Sequence, residues 1–344
     1  MWTKNFKLFF IGTILSALGG IGLNVAFGVI IFSETQSTFL SAIFTAITMI
    51  PNFVLPILIG PYVDRQNPLK VLVRNEVFLG LVFLIASIVT YFNEFSYPLY
   101  LIIVVTISSL GVFSELSYSN ILPHIMERRD YVRGNAIIGT IYPMASIVVT
   151  PLAMLLFKQY GISLIFLVYS FLTFGDAFLE SKIDMEFELQ EAPKENILQT
   201  YAQDLKDAYH YIKSNRDLST ILKGVGMMMF VGGTFPLLYP HFNLSPHLSD
   251  TDYALLMSMS SVGYAAGGLF HYFVKIPSHR RYQIAMSVYF IFAIVDGFML
   301  FYPLVGMFAA KILLGMLGMN SANIRMSAVQ QKVDNRYRAK VNAL

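Results

Sequence analysis

Apolar runs of membrane-spanning length alternate with short polar stretches along nearly the whole chain. The pattern predicts ten helical spans, at 7–31, 39–61, 75–93, 98–121, 136–157, 162–180, 219–241, 253–274, 282–301 and 304–324. At about 1.5 Å per residue, each can cross a hydrocarbon core roughly 30 Å thick. The runs are continuous and lack two-residue alternation, so helices rather than a barrel satisfy the backbone in lipid. One stretch interrupts the series. Residues 181–218 contain no apolar run of spanning length, but Ile197, Tyr201, Leu205, Ala208 and Ile212 recur at helical spacing. They predict an amphipathic helix packed under the bundle or on the headgroups.

The pattern repeats. Shifting the chain by about 205–208 residues lays its second half on its first. Gly60 then falls on Gly268, Pro98 near Pro303, and Asp130–Ala136 beside Asn335–Ala343. This predicts an all-α membrane protein of two pseudo-symmetric halves: a six-helix half at 1–180, a linker at 181–218, and a four-helix half at 219–344. By the repeat, the chain's end corresponds to the start of span 5, so counterparts of spans 5 and 6 are expected to be missing from the second half. Related halves of this kind are a recurrent transporter design, with the substrate site at mid-membrane.

Charge sets the orientation. With loops assigned alternately to the two sides, 22 of the 24 Lys and Arg fall on one side. Lys158 falls on the other, and Lys311 lies within a span. The positive-inside rule then places both termini in the cytoplasm, with the cell membrane as the site. It also accounts for the basic loops without nucleic acid. The first apolar run is too long for a cleaved signal and stays a helix. Cysteine is absent, which removes disulfides and thiolate chemistry.

The loop after span 2, Gly60-Pro61-Tyr62-Val63-Asp64-Arg65-Gln66-Asn67-Pro68-Leu69-Lys70, carries the most specific local pattern. A small residue permits close helix contact, Asn-Pro turns the chain, and the acid and bases lie at the inner face. An ordinary cytoplasmic turn obeying the charge rule also fits. The segment resembles the signature loop of the major facilitator superfamily: Gly60, Asp64 and Arg65 match, Asn67 replaces a glycine, and Lys70 is the remaining base. Leu122–Ala136, the run Asp204–Leu218 and Gln330–Val341 resemble the drug-efflux branch, particularly macrolide-efflux-like permeases. The resemblance covers essentially the whole chain. It implies a major-facilitator-type bundle in which spans 1, 4, 7 and 10 line a cavity open alternately to each side. It also implies gating at Gly60, Asp64, Arg65 and Lys70, and proton antiport as the default coupling. Departures accompany it. Span 4 lacks the branch's usual arginine, and span 5 reads Thr150-Pro151-Leu152-Ala153-Met154 in place of Gly-Pro followed by glycines. In the second half, Tyr272 and Phe273 replace the signature acid and base.

Ionisable residues within spans cost roughly 2.5–3.5 kcal/mol each at mid-membrane, so they mark function or pairing. Glu115 on span 4 suits either an inner-face partner for Arg65 or Arg74 or a proton carrier. Asp176 lies on span 6, with Glu180 at its inner edge. Asp296 and Lys311, on consecutive antiparallel spans, fall at similar depth and suit an ion pair or a cavity-facing role. Around them, Asn24, Tyr118, Met227, Met228, Met229, Phe230, Met316, Met319 and Asn320 would line an otherwise apolar cavity or simply pack. Met and aromatic side chains re-pack around varied apolar molecules. Candidate substrate or coupling residues are therefore Asn24, Glu115, Tyr118, Asp296, Lys311 and Asn320.

Several chemistries are absent from the sequence. No G-x-x-x-x-G-K-[ST] loop occurs, so no nucleotide partner is expected. The six histidines show no zinc spacing. No catalytic constellation, metal site or cofactor is expected, and an enzyme is not. The expected function is secondary-active transport of a small amphipathic or hydrophobic compound, drug or macrolide-like, coupled to protons. A non-transporting remnant and a lipid or siderophore permease are the alternatives.

Overall fold

A computed structural model describes residues 2–63, 66–122, 124–127, 131–185, 206, 210–215, 219, 235–273 and 278–332. Among the described residues every regular element is helical. The chain divides into two compact units, Met1–Ala192 and Pro193–Leu344.

The first unit contains α1 (Lys4–Thr35), α2 (Thr38–Val63), α3 (Pro68–Phe92), α4 (Tyr97–Ile121) and a helical run Tyr131–Glu180. That run departs from helical geometry at Gly161, with φ 77° and ψ −175°. An L side chain strains in this region, so glycine is required there. The break divides the run into α5 (131–160) and α6 (162–180), close to the expected boundary between spans 5 and 6. Pro143 and Pro151 both sit inside α5, where the backbone keeps helical dihedrals.

Helix ends are set by local chemistry. The Thr3 side chain accepts from Phe6 N–H and starts α1. Asn67 Oδ1 accepts from Leu69 N–H at 3.0 Å and Lys70 N–H at 3.1 Å, with Pro68 in the first turn. This cap starts α3 seven residues before the expected span at 75, and so places Glu76 two turns inside the helix. Asn5 ties the start of α1 to the chain beyond α6, through Asn5 Nδ2–H to the Asp184 carbonyl at 2.9 Å.

In this unit α6 packs against α1 and α3. Small residues on those helices let its large side chains approach: Tyr169 fills the space beside Gly19, and Phe174 that beside Gly80. Ser170 and Ser87 donate across the same contacts, to Gly80 and Ser163 carbonyls, each at 2.8 Å. The main core joins Phe27, Phe44, Phe83, Tyr100 and Phe166. Many large apolar residues face outward, Phe39, Phe53, Phe78, Phe171 and Phe178 among them. Exposure on this scale would be untenable in water and matches a lipid environment.

The second unit contains α7 (Phe235–Leu244), α8 (Asp250–Phe273), α9 (Ser278–Gly297), a 3₁₀ turn (Met299–Phe301) and α10 (Leu304–Lys332). Helices α8 and α10 touch backbone to backbone. A Cβ on Gly263 would stand 2.1 Å from the Ile312 carbonyl oxygen, and one on Gly315 would stand 2.2 Å from that of Ser260.

Six described stretches are long and apolar enough to cross a membrane: Lys4–Thr35, Thr38–Pro56, Pro68–Phe92, Tyr97–Ile121, Ile137–Glu180 and Leu304–Ser321. The fifth holds two helices, because of Gly161. The expected spans at 253–274 and 282–301 form helices that fall short of this measure. Asp250, Asp252 and several serines dilute α8, and α9 retains only the short apolar helix Met286–Gly297. Most of the expected span at 219–241, and most of the amphipathic helix near 197–212, lie outside the described residues; 210–214 is helical.

Candidate functional site

Each unit buries polar side chains that an apolar bundle would not need for packing. In the first unit they form a seam along α1, α3, α4 and α6. Asn75 and Glu76 are consecutive residues of α3, both buried. Asn75 Nδ2–H donates to the Leu110 carbonyl at 2.9 Å and to Ser114 Oγ at 2.7 Å. Ser114 in turn donates to Glu76 Oε1 at 2.5 Å. This short bond fixes the Glu76 carboxyl against α4.

One layer away, Tyr118 of α4 reaches α1. Its hydroxyl bonds Thr13 Oγ1, and its ring stacks on Phe9 with centroids 4.2 Å apart. Thr13 spends its own proton on the Phe9 carbonyl at 2.8 Å, so the tyrosine is the donor. Asn24 of α1 donates from Nδ2 to Tyr142 Oη of α5 at 3.1 Å.

The seam's third part is acidic. Asp176 and Glu180 stand one turn apart on α6, at 3% and 2% exposure. Asp176 Oδ1 lies so close to Gly12 of α1 that a Cβ there would stand 2.2 Å from it. Neither Asp176 Oδ1 nor Glu180 Oε2 has a hydrogen-bond partner. Glu76 lies within electrostatic reach of both.

The second unit holds an ion pair. Lys311 Nζ of α10 lies 3.8 Å from Asp296 Oδ1 of α9, with both side chains nearly buried. Asp296 stands one residue before the end of α9, and the 3₁₀ turn carries the chain into α10. Asn320 and Ser321 are buried on the same α10.

The structure thus joins Asp296 with Lys311, Tyr118 with α1, and Asn24 with α5. Glu115 is exposed and pairs with nothing among the described residues, so the expected bridge to Arg74 is not formed. Lys70 is exposed in the first turn of α3, and Gly60 lies near the end of α2. Asp64 and Arg65 lie outside the described residues, as do Met227, Met228, Met229 and Phe230. Among the described residues, no group of three or more His, Cys, Asp or Glu could hold a metal ion.

Sequence reasoning passed over Glu76, Thr13, Ser114 and Gly12. Glu76 had a usable signal: the Asn67-Pro68 pair marks a helix start, from which Glu76 falls well inside an apolar helix. The others are small residues whose role exists only through a neighbouring helix.

Comparison with known proteins gives a consistent picture. The family described as Major Facilitator Superfamily matches residues 9–344. No curated protein matches the chain. Solved structures similar in fold include a bacterial homolog of the human lysosomal transporter Spinster, inward-facing and unoccupied, at 13% identity and TM-score 0.70. That match covers 99% of this chain and 78% of the other. A point mutant of the nucleoside transporter NupG is similar at 13% identity and TM-score 0.73, covering 99% and 86% respectively. An inward-facing bacterial homologue of the iron transporter ferroportin is similar at 14% identity and TM-score 0.67, covering 100% and 87%.

Proposed function

The chain belongs to the major facilitator superfamily of transporters, and on that premise we propose that it exports small amphipathic or hydrophobic compounds, coupled to protons. The observation that carries this reading is the family match, which runs through the segment Gly60–Lys70 and the three segments that resemble macrolide-efflux-like permeases. Uphill export without a nucleotide-binding loop draws on an ion gradient, and the buried carboxyl groups of the first unit are suited to carry protons. Gly60, Asp64, Arg65 and Lys70 act at the cytoplasmic gate in this reading. Asn24, Tyr118, Asp296, Lys311 and Asn320 are its substrate or coupling residues, with exposed Glu115 available to a substrate. The same segments would serve a lipid or siderophore permease, which the substrate assay below distinguishes.

Everted vesicles from cells expressing the chain should accumulate ethidium several-fold faster when an imposed gradient makes the lumen acid. A protonophore should abolish the difference. Rates equal to those of empty vesicles, with or without the gradient, would refute the reading.

Orientation is a second expectation. We place both termini in the cytoplasm, because the basic residues gather on one side. Cysteines introduced at Gln36, between α1 and α2, and at Ser249, before α8, should react with impermeant reagents added to intact cells. A cysteine at Gln66, between α2 and α3, should be protected. Labelling at Gln66 would invert the topology.

A further inference from the structure

The acidic part of the first unit's seam is more specific than the permease reading requires. Along α6, Tyr169, Thr173, Asp176 and Glu180 follow one another at three- and four-residue spacing, which puts them on one helix face. That face meets α1, where Gly19 makes room for Tyr169 and Gly12 for Asp176. Thr173, Asp176 and Glu180 are each at most 3% exposed. Each carries a buried oxygen, Oγ1, Oδ1 and Oε2 respectively, that has no hydrogen-bond partner. Three unpartnered oxygens in one stripe of a close-packed bundle are unusual, because buried polar atoms are almost always satisfied. Thr173 carries an O–H of its own; what Asp176 Oδ1 and Glu180 Oε2 lack is a donor bonded to them.

Among the described residues no donor bonds to either oxygen. The titratable groups around the stripe are acidic: Glu76 from α3, Tyr118 from α4, Tyr169 on α6 itself, and Tyr142 of α5 through Tyr169. Glu76 is held by Ser114. Helix α1 contributes glycine and hydroxyl groups, Gly12 and Ser16. No Lys, Arg or His among the described residues pairs with Asp176 or Glu180. Two carboxylates without a counter-ion in a lipid-embedded core would bear a large desolvation cost. A carboxyl O–H removes one charge and provides the missing donor at once.

We propose that Asp176 and Glu180, on the α6 face lodged against Gly12, form a proton-binding site within the first unit. An aqueous proton forms one carboxyl O–H bond on loading, and the same bond breaks on release. No redox partner is involved. The site's service in a transport cycle rests on the permease reading above; its binding of a proton does not. Gly12 is the positioning element, because any side chain there would push the Asp176 carboxyl off α1.

Infrared difference spectroscopy of the purified full chain in lipid nanodiscs tests this with the proton as probe. Stepping from acid to alkaline buffer should bleach a carboxylic-acid carbonyl band. Carbon-13 in the side-chain carboxyl of aspartate should shift part of that band in the unmodified protein, a measurement independent of whether variants fold. The double variant Asp176→Asn, Glu180→Gln should lose the pair's share of the band and keep that of Glu76 and the exposed carboxyls, whereas Glu94→Gln, in the exposed turn between α3 and α4, should leave the pair's share intact. A wild-type chain with no such band, or a band that the double substitution leaves undiminished, would overturn the site. A titration that moves when sodium replaces choline at constant pH would make this a cation site and overturn the proton assignment. A band that behaves as expected in a chain without gradient-driven ethidium accumulation would support the site and refute the coupling reading.

Discussion

Neutralising Asp296 or Lys311 alone is expected to cost the second unit about 3–5 kcal/mol, because each substitution breaks a nearly buried ion pair by removing one of its two charges. The pair is 3.8 Å apart, with side chains 7% and 11% exposed respectively. At that distance it is an ion pair rather than a direct hydrogen bond, and its value lies in mutual neutralisation. Asp296→Asn and Lys311→Met should each lower the thermal midpoint of the purified protein in detergent. The double variant Asp296→Leu, Lys311→Met should recover most of the loss, since an apolar pair of similar volume incurs no charge desolvation. The charge-swapped double should recover part of it. Losses that simply add in the double-mutant cycle would mean that the two groups act independently.

A second large effect is expected at the α8–α10 contact. Gly263→Leu should destabilise the second unit beyond the usual 1–3 kcal/mol range of overpacking substitutions. A Cβ at Gly263 meets backbone, the Ile312 carbonyl at 2.1 Å and the Met316 nitrogen at 2.9 Å, and backbone has no rotamer with which to give way. Gly267, one turn on, stands against the Met316 carbonyl in the same manner. Helices in lipid gain little from hydrophobic exclusion, so close approach of this kind is their main source of packing energy. Gly263→Ala should show the same sign at smaller size. Gly111→Ala on α4 provides the contrast, because nothing lies within 4 Å of its added methyl. There the better helix propensity of alanine, worth up to about 1 kcal/mol, should leave stability unchanged or raised. Equal losses at Gly263 and Gly111 would show that the α8–α10 contact is not what holds the unit together.

The placement of helices in this protein is a local matter and was readable from the chain alone. Apolar length and the Asn67-Pro68 turn act within a few residues, whereas the break at Gly161 and the start of α3 at Pro68 emerged only in the structure. The matching depths of Asp296 and Lys311 follow from counting residues along two consecutive helices, and the structure does pair them. Which face of a helix packs, and against what, was not readable. In water the buried face is the apolar one; here lipid and core are both apolar, so the periodic signal that separates them largely vanishes. Tertiary structure therefore decided that Glu76 is tied to Ser114, that Glu115 points out of the first unit's core, and that Gly12 and Gly263 are contact points. It also decided that Asp176 and Glu180, recognisable in sequence only as ionisable residues in a span, each bury an oxygen that no described residue bonds. Satisfaction of a buried oxygen depends on side chains distant in sequence, 38 residues for Glu76 and Ser114 and 105 for Thr13 and Tyr118, and only the packed helices bring those within reach.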